Sequence, residues 1–349
     1  MGYVKKFTTI AGLSMMVLVN AQGILQNGLK ETISSKILEE DREVWIHLPK
    51  SYNDQNIKPA KYPVVYLLDA ETNFDYYAGM TDLLSKAPYA EIPEVIVVGI
   101  TNTDRTRDLT PTKSLETKSE NDKTLVYPTS GGGKKFAQFL NDEIKQLLNF
   151  KYRTNGYNII VGHSYGGLEV ADLLVSNTSS YNAYILHDPS LWWNEQSTMK
   201  EIQNYFSSHA LPKNKQIYLS QANNEGRSQK AIEEMTTGIL AFKNLMELKN
   251  PKQFKYKYYE NEGHGTVIFP ANFDAIRFVF KGFATNLKDY STKPELLMQQ
   301  YKAFSEKQHF DFKPSETYLN FIINYLKRTG QEDSKKYMEE LKNTLYSYL

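Results

Sequence analysis

Five short apolar runs, separated by stretches of helical periodicity, constrain this chain more than any other feature. KYPVVYLLDA, EVIVVGIT, YNIIVGHS, AYILHDPS and KQIYLSQA read as buried strands, and the alternation in QFKYKYYENEG adds a later one. Helical spacing appears in NFDYYAGMTDLLSKA, KKFAQFLNDEIKQLL, GGLEVADLLV, EQSTMKEIQNYF, QKAIEEMTTGILAFKNLMEL and FDAIRFVFKGFA. In the second of these, Phe136, Phe139, Leu140, Ile144, Leu147 and Leu148 share one side. A strand that is apolar along its whole length must be covered on both faces. Strands alternating with helices therefore predict an α/β fold: a mostly parallel sheet with helices on both faces. Two paired strands, ETISSKILEE and REVWIHLP, give it an antiparallel edge.

The pattern changes near residue 290. STKPELLMQQYKAF, SETYLNFIINYLKRTG and SKKYMEELKNTLYSYL all read as helices, with Gly330 stopping the second. Residues 289–349 are thus expected to form a small helical appendage, packed on the main domain or offering a surface to a partner. It resembles a tetratricopeptide-like hairpin only loosely, because no internal period is present. At the other end, Lys5 and Lys6 precede FTTIAGLSMMVLV and then Asn20-Ala21, with Val19 and Ala21 at the small-residue positions before a cut. That describes a secretory signal peptide over 1–21, the alternative being an uncleaved anchor. The apolar run is too short to span a bilayer comfortably. The expectation is an exported protein, periplasmic or extracellular, with no stable membrane insertion after cleavage and a main domain over 22–288.

Composition narrows the chemistry. The absence of cysteine excludes disulfides, thiolate metal sites, a cysteine nucleophile and a lipidated cysteine. The formal net charge is +1, and loss of Lys5 and Lys6 would take it two units lower. That balance gives no clustered basic excess for nucleic acid. No metal-ligand spacing is present. Ser130-Gly131-Gly132-Gly133-Lys134-Lys135 lacks the first glycine and the closing hydroxyl of a phosphate loop, and reads as a loop opening a helix. No cofactor is implied.

One string carries a reaction. In IIVGHSYGGLEV, Ser164 stands between Gly162 and Gly166, after a strand and before a helix. A plain strand-to-helix turn would look similar, but G-x-S-x-G in this setting is the pattern of a nucleophile elbow. A serine hydroxyl needs a base. Of the six histidines, His264 lies after a late strand and before the last helix of the main domain, between Gly263 and Gly265. The acid that orients the imidazole should lie between them in sequence. Glu225, after KQIYLSQA, is preferred, and Asp188, after AYILH, is the alternative. An oxyanion hole would take one N–H from Tyr165 and one from Ala70 or Glu71. Arg105, in the polar stretch 102–130, suits either an anionic or phenolic substrate or an aspartate pairing that stiffens the loop; Arg107, beside Asp108, favours the pairing. Trp192 and Trp193 follow a strand end and suit either the substrate pocket or the core.

At this point four segments carry a resemblance. VVYLLDA, GITNTDRTRDLTPT, GHSYGG and DPSLWWN resemble, in that order, segments of the esterase D/enterochelin-esterase-like branch of the α/β-hydrolases, although Ala70 stands where a glycine is usual. The resemblance covers roughly residues 29–285. It implies the α/β-hydrolase fold, Ser164 as nucleophile and His264 as base. It also implies a small-molecule siderophore-type, hydroxy-acid or aromatic ester as substrate, with polysaccharide-linked acyl esters also open. An acyltransferase would use the same residues, and a binding protein on this scaffold is the further alternative.

Overall fold

The computed structural model describes residues 24–25, 27–284 and 286–346. The expected signal peptide, 1–21, lies outside the described residues. Among the described residues, nine strands form one sheet in the order β1-β2-β3-β5-β4-β6-β7-β8-β9. They are β1 (Ile24–Leu25), β2 (Gly28–Ser35), β3 (Glu40–His47), β4 (Tyr62–Leu68), β5 (Ile96–Ile100), β6 (Thr154–His163), β7 (Ala183–His187), β8 (Gln216–Ala222) and β9 (Phe254–Tyr259). β1, β2, β3 and β5 pair antiparallel in sequence, and β5, β4, β6, β7, β8 and β9 run parallel. The α/β-hydrolase architecture expected from the sequence is present.

Apart from the edge strand β9, where Lys255, Lys257 and Tyr258 are exposed, the parallel strands are buried on both sides, which is why they read as largely apolar runs. In β4, Val64, Tyr66 and Leu68 enter one core cluster while Val65 and Leu67 enter the other. The first cluster lies under α3 (Gly133–Gln138), α4 (Lys145–Lys151), α5 (Tyr165–Ser176), α6 (Trp193–Ser208) and α7 (Gln229–Lys249). A π-helical turn, Phe139–Ile144, joins α3 to α4 and buries Phe139, Leu140 and Ile144. The second cluster lies under α1 (Ala70–Leu84) and α8 (Ile268–Val279).

Residues past 290 form α9 (Leu296–Gln308), α10 (Glu316–Arg328) and α11 (Glu332–Tyr346). Leu297, Tyr301, Phe304, Leu319, Ile322 and Met338 join the second cluster with Val65, Tyr157 and Phe280. Tyr157, on β6, packs edge-on against Phe310 and Phe312 and donates its hydroxyl to Gln308 Oε1 at 2.7 Å. These helices share the core on the α1 and α8 side of the sheet.

Candidate active site

All the chemistry gathers at the C-terminal ends of the parallel strands, where an open α/β sheet places its ligands. β6 ends at His163, and α5 begins at Tyr165. The whole reversal falls on Ser164, with φ 57° and ψ −117°, a conformation a non-glycine residue holds only when its surroundings impose it. Its N–H donates to His187 O at 3.0 Å, and its carbonyl accepts from Leu168 and Ser190 at 3.0 Å each. The turn also requires glycine nearby. A Cβ on Gly162 would sit 2.2 Å from Gly166 O, and one on Gly167 would sit 2.9 Å from Pro189 Cβ. So the string GHSYGG is dictated by packing as well as by chemistry.

The hydroxyl raised by that turn is the first link of a hydrogen-bonded chain. Ser164 Oγ lies 3.0 Å from His264 Nε2, and His264 Nδ1 lies 2.6 Å from Asp188 Oδ2. Asp188 is fully buried, and its other oxygen accepts from Ala222 N–H at 3.0 Å. The imidazole therefore carries its proton on Nδ1 and presents a lone pair to the serine. Glu225, the preferred acid, makes no bond to His264; its exposed carboxylate meets Asn223 Nδ2 at 3.5 Å. The alternative, Asp188, is the acid that reaches the ring. β7 ends one residue before Asp188, which has φ 40° and whose carboxylate lies against the end of β8 through Ala222 N–H, while Glu225 and the residues after it are exposed.

The chain of bonds opens into a cleft of about 430 Å³ lined by Asp69, Glu71, Asn102, Arg105, His163 and Ile268 among others. Tyr165 is the first residue of α5, and Ala70 and Glu71 are the first two of α1. N–H groups at such positions lack an intrahelical acceptor. Their parent strands β6 and β4 are neighbours, and a Cβ on Gly166 would touch Asp69 Oδ2 at 3.2 Å, so the two helix openings adjoin. Asp69, φ 55°, makes the sharp turn in front of Ala70.

Arg105 lines the cleft and is paired at once. Its Nε and one terminal nitrogen hold the two oxygens of Asp69 at 2.7 and 2.8 Å, and the same nitrogen donates to His163 O at 3.2 Å. Asn102 Nδ2 also donates to Asp69 at 2.9 Å, while Asn102 N–H donates to Glu71 Oε1 at 2.5 Å. Arg107 points away, to Glu40 at 2.6 Å and Asp108 at 2.7 Å, and does not line the cleft. The Arg107 bond is the main reason the Glu40 carboxyl is lowered to about 2. Trp193 belongs to the core rather than the pocket: it is buried, donates Nε1–H to Thr112 O at 3.0 Å, and packs edge-on against Tyr165. Trp192 is half-buried beside Tyr165 and is not a wall of the cleft.

Two residues without an expected role sit at the centre. Ser190 Oγ lies 3.2 Å from Ser164 Oγ, and Asp69 ties Asn102 and Arg105 together. Only position beside a strand end marks either of them in the sequence. Among the described residues, no group of three or more His, Asp or Glu side chains is placed to hold a metal ion, and no helix is long and apolar enough to cross a membrane.

Comparison with known proteins places the chain by family and fold. Residues 35–277 match the model of the esterase family described as "Putative esterase". The solved IroE-like serine hydrolase from Shewanella oneidensis is 33% identical, with a TM-score of 0.79 over 90% of this chain and 99% of that one. The ferri-bacillibactin esterase BesA of Bacillus subtilis is 30% identical over 158 residues, 43% of this chain and 55% of BesA. The siderophore enterobactin esterase of Emericella nidulans is 27% identical over 220 residues, 53% of this chain and 71% of its own length. The chain thus spans only about half of the first of these curated relatives. A family match over most of the chain, on this sheet and around this elbow, means that the chain belongs to the esterase family of the α/β-hydrolases.

Proposed function

We propose that this protein is a serine esterase that cleaves a small-molecule carboxylic ester through an acyl-enzyme. The observation that carries the reading is the unbroken chain from Ser164 Oγ through His264 to Asp188, at 3.0 and 2.6 Å, with the serine on a strained turn. Ser164 Oγ attacks the acyl carbon and His264 Nε2 takes its proton. Asp188 stabilises the imidazolium that forms. The N–H of Tyr165, with that of Ala70 or Glu71, stabilises the oxyanion. His264 returns the proton to the leaving alcohol, then activates water to release the acid.

The names of the relatives support a siderophore-type ester as substrate, and the aromatic and hydroxy-acid esters are its nearest chemical kin. Export rests on the sequence of residues 1–21. The test is hydrolysis of a panel of aryl, hydroxy-acid and siderophore esters by the parent and by Ser164→Ala. The variant is expected to lose at least about 10³-fold in kcat. Equal activity in both would overturn the reading. Product analysis with an added alcohol separates hydrolysis from acyl transfer, and fractionation of the source cell tests export.

A further inference from the structure

We propose that His163, the residue before the nucleophile, is a positioning residue that clamps the loop carrying the catalytic base; this rests on the reading of Ser164 and His264 given above. The need for a clamp is visible in the loop. His264 stands between Gly263 and Gly265 on a turn closed by Thr266 and Val267 N–H donating to Gly263 O. A Cβ at either glycine would meet nothing within 4 Å, and neither glycine has a left-handed φ. The glycines are therefore not demanded by space or by turn geometry. They leave the loop with the conformational freedom that two alanines would remove.

Asn223 N–H donates to Glu262 O at 2.8 Å and holds the start of that loop, and Asp188 fixes one atom of the ring, but neither holds the backbone of His264 itself. His163 supplies that tether. Its Nε2–H donates to the main-chain carbonyl of His264 at 2.7 Å, and the two rings lie 4.5 Å apart. A carbonyl only accepts, so His163 Nε2 carries the proton. Burial, reinforced by His264, lowers His163 to about 4, so it stays neutral while His264 gains and loses its proton. The clamp and the nucleophile are consecutive residues at one strand end. The distance between serine and base is thus set by a rigid element on one side and two hydrogen bonds on the other. A drift of about 1 Å in such an arrangement costs on the order of 10²-fold in rate.

The experiment compares His163→Gln, His163→Leu, Gly265→Ala and the double variant His163→Leu/Gly265→Ala on an ester that the parent hydrolyses. Gln keeps a donor of similar reach and is expected to retain kcat within about fivefold. Leu is expected to lower kcat about 10- to 100-fold, with KM changed less than about threefold and the midpoint of the kcat/KM pH profile unmoved. Gly265→Ala stiffens the loop and is expected to recover part of that loss in the double variant. A Leu variant as active as the parent overturns the proposal. So does a loss of folding in Leu with no loss of kcat per folded molecule, or a shift of the pH midpoint in place of a fall in height. If the parent itself hydrolyses no ester, the reading of function fails, and the clamp loses its object.

Discussion

Two buried carboxylates, Asp188 and Glu169, lie close to the same elbow and are equally sealed from water, yet their surroundings could hardly differ more. Asp188 has a donor aimed at each oxygen, the ring of His264 and the N–H of Ala222. Glu169, one turn into α5, has no hydrogen-bond partner on either oxygen. Burial, then the nearby Asp172 and Asp108, push its carboxyl well above the usual range. It is therefore held as the neutral acid. Burial alone fixes neither charge nor role; what decides is whether donors are aimed at the oxygens. The first region is built to present a charge to an imidazole. The second is a neutral polar filling against the loop at Gly133, where a Cβ would come within 2.5 Å of Glu169 Oε2.

The sharpest way to break this comparison is to remove the charge from each acid candidate in turn. Asp188→Asn keeps the shape but cannot stabilise the imidazolium, and is expected to lower kcat about 10²- to 10⁴-fold. Glu225→Gln is expected to change kcat by less than about twofold, because Glu225 meets only Asn223. Steady-state kinetics on one ester suffices, and a larger loss from Glu225→Gln would reverse the assignment.

Stability against pH tests the second region. A carboxyl raised by folding contributes stability at low pH that is lost as pH rises through its folded value; this applies to Glu169 and to Asp172, raised to about 6 chiefly by burial. A histidine lowered by folding does the opposite: its contribution is present above about 6.5 and is lost as pH falls. His163 and His187, lowered mainly by burial to about 4 and about 3, are such groups. Between about pH 4.5 and 6 the two acids and the two histidines cancel, and their joint effect on stability is nearly flat. Glu169→Gln removes one acid from that balance. Relative to the parent, its stability is expected to rise by about 1.4 kcal/mol per pH unit across this window. Urea unfolding of both proteins at three pH values measures the difference. Parallel curves would mean that Glu169 is ionised and partnered after all.

The smallest effect is expected at Arg107, which braces Asp108 and Glu40 on the far side of the loop from the cleft. Its side chain is partly exposed, so Arg107→Gln should cost about 1 kcal/mol of stability and leave kcat within about twofold. A tenfold fall in kcat would join the two regions that the comparison separates.

Much of this was legible in the chain. Strands buried on both faces must be apolar throughout, so β4 to β8 announce themselves, and the elbow does too, because only glycine tolerates the approach of Gly162 to Gly166. Ser164 and His264 were singled out by order along the chain, and their side chains lie 3.0 Å apart. The long stretch 102–130 gave no periodicity, yet it holds α2 (Arg105–Asp108) and a bridge between Thr117 and Leu125. Its order comes from bonds to distant partners such as Asp69 and Glu40, which leave no local pattern. The choice between the two candidate acids was not legible for a similar reason. Glu225 and Asp188 both follow strands, and only the backbone turn at Asp188 shows which one crosses to the ring.

Periodicity, glycine sterics and order along the chain are local rules, and they were enough to give the class of fold and to single out Ser164 and His264 as candidate nucleophile and base. Only the folded chain shows that Asp188 meets His264, that Arg105 pairs with Asp69, that Trp193 is buried and that His163 bonds the loop of His264. Each of those is an encounter between residues far apart in sequence. Such an encounter is set by how strand ends converge in space.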